Sequence, residues 1–224
     1  MKYILILLVI SILLITPFSI SADFNTIPNP PADDLVQLYQ ELCLGDIGLD
    51  QTVFDYAIRG VKKINPSKPI LTIADLSQPS TQKRLYVIDL VKRKVLYRTF
   101  VAHGRNSGDL YAHRFSNQMS SYQSSLGFYQ TLGTYQGKHG LSLRLQGLES
   151  GFNSNALDRA VVIHGADYVS ESFIKKIGRL GRSFGCPAIP YDVHKAIIET
   201  IKNGACLFVF SPNKQYLQKS SFLL

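Results

Sequence analysis

Beyond Pro66 and Pro69 the chain stops repeating its apolar residues at helical spacing and breaks into short β-branched and aromatic runs. They are Leu71 to Ala74, Arg84 to Leu90, Lys94 to Ala102, Gly127 to Thr134, Ser142 to Gln146 and Ala160 to Ile163, each bounded by polar or turn-forming residues. Arg84 to Leu90 and Lys94 to Tyr97 flank Val91-Lys92-Arg93 and read as a hairpin. Six or more strands with polar connections imply a mainly β fold, largely antiparallel, as a sandwich or barrel. Pro190 then opens a C-terminal helix with Val193, Ile197, Ile198 and Ile201 on one face. It stops at Asn203-Gly204, and Ala205 to Phe210 supplies a last strand.

The region before Pro66 reads differently. Met1-Lys2 followed by the apolar run Tyr3 to Ile15, then Thr16, Pro17 and the small residues Ser21 and Ala22, has the layout of a secretory signal over residues 1–21. An uncleaved anchor is the alternative, since Tyr3 to Ile20 approaches bilayer-spanning length. Residues 22–32, with Pro28, Pro30 and Pro31, read as a linker. Leu35, Leu38, Tyr39 and Leu42, and then Val53, Phe54, Ala57, Ile58 and Val61 after a cap at Asp50, predict a helical pair over 33–69. Such a short pair needs the main domain, 70–212, to pack against, unless it is a separate docking module. Residues 213–224 are left as a tail.

The chemistry concentrates near the C-terminal end. Val161-Val162-Ile163-His164-Gly165 is followed, after seventeen residues, by Ser183-Phe184-Gly185-Cys186-Pro187. A thiol is mostly protonated at neutral pH, so a reacting cysteine needs a base or a positive field beside it, and His164 at a strand end can be that base. Gly185 permits close backbone approach and can turn N–H groups toward a developing oxyanion. A buried structural cysteine is the competing explanation, but Gly181-Arg182-Ser183-Phe184-Gly185 is a polar, cationic, glycine-bearing loop and poor core material.

These residues resemble the catalytic signature of the bacterial L,D-transpeptidases, the YkuD-like domains. Ser124-Ser125-Leu126-Gly127-Phe128-Tyr129 is similar to the family's Thr-Pro-x-Gly-x-Phe/Tyr strand entry, with Ser125 in place of proline. Val101 to Gly108, Gly137-Lys138-His139-Gly140 and Ser142 to Glu149 resemble its divergent murein L,D-transpeptidase branch, so the likeness covers roughly residues 70 to 212. One departure stands out: Phe184 occupies the histidine of the usual Ser-His-Gly-Cys. The resemblance implies an L,D-transpeptidase-like β-sandwich or barrel and acyl transfer from a peptidoglycan stem peptide. It gives Cys186 as nucleophile, His164 as base, the Gly165 carbonyl as its orienting group, and the Gly185 and Cys186 N–H groups as oxyanion donors. No cofactor is implied, and carbapenems become candidate covalent inhibitors. Ser183 either bonds within the site or shapes the turn. Arg182 and Arg179 bind stem carboxylates or are solvated, and His103, Tyr129 and His139 line the cleft or are satisfied elsewhere. An L,D-carboxypeptidase using water as acceptor, or a wall-binding module whose cysteine no longer reacts, shares most of these features.

Composition bounds the setting. With 224 residues and 46% apolar content, the chain supports one ordinary core plus appendages. The formal charge of +8 falls to +7 when Lys2 leaves with a signal, and a basic exported chain is drawn to polyanions such as peptidoglycan stems. No basic and aromatic interleaving of an RNA-binding kind is present, and the five histidines lack a metal-ligand frame. Export to the periplasm or cell wall makes pairing of Cys43 with Cys206 an option, with three unpaired thiols the other. A cleaved signal would leave no stable membrane insertion.

Overall fold

A computed structural model describes residues 32–224, so the signal and nearly all of the linker lie outside the described residues. Helix α1 covers Ala32–Glu41 and α2 covers Gln51–Ile64. α2 begins where Asp50 accepts hydrogen bonds from the Thr52 and Val53 amides, at 2.8 and 3.3 Å. It ends at Asn65 in the left-handed region, with Lys62 and Lys63 in the last turn and Pro66 beyond. Its buried stripe is Val53, Phe54, Ala57, Ile58, Gly60 and Val61, spaced as one helical face. Each fully buried large side chain there stabilises the docking by about 1.5–3 kcal/mol. Gly60 sets how close α2 comes, because a Cβ there would sit 2.1 Å from the Phe128 ring. The helix is therefore integral to the main core rather than a docking module.

The sheet contains β1 (Ile70–Asp75), β2 (Leu85–Asp89), β3 (Lys94–Thr99), β4 (Gly127–Gly137), β5 (Gly140–Gly147), β6 (Val162–Gly165), β7 (Ala188–Ile189) and β8 (Cys206–Phe210). Their spatial order is β3-β2-β1-β8-β4-β5-β6-β7. β1 with β8 and β6 with β7 run parallel; the other neighbours are antiparallel. Just past β3, Ala102 exchanges backbone hydrogen bonds with Ala188 of β7, at 2.8 and 3.4 Å. The two ends of the sheet thus approach each other, and the fold is mainly β and close to a closed barrel. β1 and β8, buried along their whole length, form its centre.

Three further helices cover the ends: α3 (Glu171–Ile177), α4 (Tyr191–Ile201) and α5 (Lys214–Lys219). α4 follows Pro190 and buries His194, Ile197, Ile198 and Ile201. The segment read as a tail is instead clamped to the core. Tyr216 and Ser220 donate to the buried Glu149 carboxylate, and Lys63 Nζ donates to the Ser221 and Leu224 carbonyls. All three cysteines are unpaired, with Cys43 exposed in a turn and Cys206 buried in β8. Among the described residues no helix is long and apolar enough to cross a membrane.

Candidate active site

β6 starts two residues later than the sequence suggests, because Ala160 takes positive φ and the chain enters the sheet only at Val162. That register sets His164 opposite Ser142 of β5 and beside Ala188 of β7. The His164 ring lies 2.9 Å through Nδ1 from the Gly165 carbonyl oxygen. A carbonyl only accepts, so Nδ1 carries the proton and the lone pair of the neutral ring is on Nε2. Gly165 is required here, since a Cβ would lie 2.4 Å from the Tyr191 ring and 2.9 Å from that of His194. His139, in the turn between β4 and β5, stacks on His164 at 4.4 Å between ring centroids.

Cys186 stands two residues before β7, half-buried, in a loop tied down on both sides. Ser183 N–H donates to His103 O at 3.0 Å and Arg105 N–H to Ser183 O at 2.8 Å. Ser183 Oγ donates to the Cys186 carbonyl at 2.6 Å and accepts from the Gly185 amide at 3.0 Å. Ser183 therefore shapes the turn, and the Gly185 N–H is engaged instead of free for an oxyanion. Among the described residues the Cys186 N–H makes no hydrogen bond to another residue, so it is the donor left at the sulfur. Gly185 has φ of 127°, and a Cβ there would meet the Gln123 carbonyl oxygen at 2.8 Å.

Cys186 Sγ accepts from the Val162 amide at 3.5 Å and lies 3.7 Å from the Ala160 carbonyl oxygen. Its partners do not include His164. Both side chains nevertheless face one open cleft of about 410 Å³, with Lys138, His139, Arg159, Tyr168 and Phe184 among the lining. Burial raises the thiol pKa; the Val162 amide and the Arg159 and Lys138 charges partly offset it. Burial also holds the His164 imidazole below its usual range, opposed by the Gly165 carbonyl and reinforced by His139, Lys138 and His194. At rest the site thus holds a neutral thiol and a neutral imidazole whose lone pair is on Nε2.

The model of the L,D-transpeptidase catalytic domain matches residues 46–210. The chain belongs to that family. The L,D-transpeptidase domain thus begins before α2, in keeping with that helix's place in the core. No curated protein matches the chain. Among solved structures it is similar to an L,D-transpeptidase from Mycobacterium smegmatis, at 14% identity over 64% of this chain and 59% of that one, TM-score 0.39. Another is an L,D-transpeptidase from Stackebrandtia nassauensis, at 16% identity over 79% and 76%, TM-score 0.38. A third is an L,D-transpeptidase in complex with imipenem, at 13% identity over 63% and 59%, TM-score 0.39. The match thus spans about three-fifths of the first of these chains.

Several residues expected in the cleft of this L,D-transpeptidase domain are elsewhere. Tyr129 is fully buried and donates to the Ser125 carbonyl at 2.9 Å; as a core residue of β4 it lines no cleft. His103 is buried too. Arg84, which can only donate, is 2.8 Å from His103 Nδ1, so the neutral ring holds its proton on Nε2 and points it at the Gly108 carbonyl, 3.3 Å away. Burial and the Arg84 charge push its pKa down to about 3, so His103 is a structural acceptor. Arg182 borders the cleft, and its Nη1 pairs with Asp109 at 2.7 Å and donates to the Gly108 and Arg105 carbonyls. Arg179 lies 3.7 Å from Asp109 and donates to the Leu180 carbonyl. Phe184 is 61% exposed, its ring against Tyr122 with Arg105 over both. His139 does line the cleft. Lys138 and Arg159, which the sequence did not single out as site residues, line it as well.

Proposed function

We propose that this domain is a peptidoglycan L,D-transpeptidase that works through a Cys186 thioester. His164 Nε2 takes the thiol proton, and the sulfur attacks the carbonyl carbon of the stem's third, L-configured residue. The Cys186 N–H meets the developing oxyanion. Collapse of the tetrahedral species breaks the amide bond, and the His164 imidazolium protonates the departing amine of D-alanine. The amine of a second stem then attacks the thioester, gives its proton to His164 and expels the Cys186 sulfur, leaving a 3→3 cross-link. The observation that carries this reading is the Nδ1 contact of His164 with Gly165, which leaves the basic Nε2 to a cleft that also contains Cys186. The lining supports an anionic substrate: it includes Lys138 and Arg159, the Arg182 charge being paired with Asp109, and no Asp or Glu. Neither a cofactor nor nucleic acid enters the scheme.

The apolar Tyr3 to Ile15 run supports export and work outside the cytoplasmic membrane, in the periplasm or wall. N-terminal sequencing of the exported form should find a start near Ala22; an intact Met1 in the membrane fraction would mean an anchor. For the chemistry, the full-length mature protein is incubated with tetrapeptide-bearing muropeptides. Cross-linked dimers are expected; trimmed monomers alone would assign a hydrolase. Imipenem should add its mass to the wild type and not to Cys186→Ala, and labelling retained in that variant would remove Cys186 as nucleophile.

A further inference from the structure

Arg159 is built into the wall of the Cys186 cleft in an unusual way. Nη1 donates to the Ser116 carbonyl at 2.7 Å and to Ser125 Oγ; Nη2 donates to the Gln123 carbonyl at 2.8 Å and to Ser121 Oγ at 3.1 Å. All four partners are neutral, and among the described residues no carboxylate pairs with this guanidinium. Its position against the nucleophile loop is close: a Cβ on Gly185 would lie 3.4 Å from Nη2. One residue further along the chain, the Ala160 carbonyl faces the Cys186 sulfur, and Val162 N–H donates to it.

A cation held this way has both terminal nitrogens committed, so it is a poor clamp for an incoming carboxylate, which takes a free pair of N–H groups. What remains available is its charge. An uncompensated positive charge beside a thiol in a partly desolvated site favours the anionic form of that thiol. Phe184, the residue preceding Gly185 in the motif, brings no charge of its own.

We infer that Arg159 is a positioning residue for Cys186, a fixed counter-charge that stabilises the thiolate without touching the acyl donor. The same hydrogen bonds hold the 116–125 segment against Gly185, so one side chain supplies both the field and the wall. The inference rests on Cys186 being the reacting thiol. Its test nevertheless reads the thiol directly and needs no transpeptidation.

The rate of Cys186 alkylation by iodoacetamide is followed against pH in the full chain, by peptide mass so that the exposed Cys43 is counted separately. Arg159→Met should move the alkylation midpoint to higher pH and slow the reaction at neutral pH by about three- to tenfold. Arg159→Lys, which keeps the charge and loses the fork, should recover most of that rate. Thermal melts separate the two roles of the side chain, since both variants lose the pin on 116–125. If Met and Lys give the same alkylation profile, whether slowed or not, Arg159 is a loop pin only and the proposal falls. Should Arg159→Met fail to fold, Arg159→Gln replaces it, and a profile equal to that of Arg159→Lys overturns the inference in the same way. A normal alkylation shift with no muropeptide product would leave this inference standing and refute the transpeptidase reading.

Discussion

Replacing Gly185 with alanine perturbs the nucleophile loop without changing any charge or reacting atom. The new methyl would occupy a backbone with φ of 127° and lie 2.8 Å from the Gln123 carbonyl oxygen, closer than a real Cβ contact tolerates. A side chain in that sparsely populated region costs about 1–3 kcal/mol. The loop can relieve part of it only by moving away from the 116–125 segment by a few tenths of an ångström, which the bonds of Ser183 to Gly185 and Cys186 transmit to the sulfur and its N–H. Misplacement by an ångström costs about a hundredfold in such reactions, so a smaller shift should slow acylation by about tenfold or more. The assay is the rate of imipenem addition by intact mass, run beside a melt by circular dichroism. Melting should fall by several degrees, as a loss of this size implies for one domain. A Gly185→Ala variant with wild-type acylation rate and unchanged melting would refute both the strain argument and the role given to the loop.

Because burial holds the His164 imidazole below its usual range, the base stays unprotonated to lower pH than a free histidine. The acid limb of the acylation profile should therefore fall below the ordinary imidazole range of about 6.5, and a limb at or above it would contradict the assignment. Phe184 faces Tyr122 and Arg105 across the rim, so Phe184→His should change acylation by no more than about tenfold, equivalent to about 1.4 kcal/mol of barrier; a much larger gain would show that the natural site is impaired. Glu149 accepts from the Phe128 amide at 2.8 Å, from Tyr216 Oη at 2.9 Å and from Ser220 Oγ. Glu149→Ala strands those buried donors and should cost about 3 kcal/mol or more, read by urea unfolding, whereas Glu149→Gln can turn its amide toward Ser220 and should lose about 1 kcal/mol.

The strand runs from Leu71 to Phe210 were readable because alternation and β-branching are local properties of the chain. β7 was not: two residues, Ala188 and Ile189, leave no period to detect, and they become a strand only because β6 lies beside them. The exposed α3 and short α5 carry too little apolar patterning to announce a helix. The joint placement of His164 and Cys186 at one cleft, with Gly165 beside the imidazole, was legible because glycine and a strand end mark backbone geometry. Tyr129 and His103 were misplaced for the opposite reason. Their segments are right, but which face of a strand or loop looks into the cleft depends on pairing partners distant in the chain. Arg159 follows Asp158 and resembles any solvated charge pair until the 116–125 segment folds over it.

The place of β8 carries a consequence for how the molecule comes together. The last strand in the sequence is the middle one in space, lying between β1 and β4. Until residues 206–210 are available, the chain can assemble only a β3-β2-β1 ribbon and a β4-β5-β6-β7 ribbon, each with an open inner edge. Loss of β8 would leave β1 and β4 as two unpaired edges facing solvent, a state prone to aggregation. Every residue lining the cleft precedes residue 187, yet the sheet behind them stays open until residues 206–210 are in place.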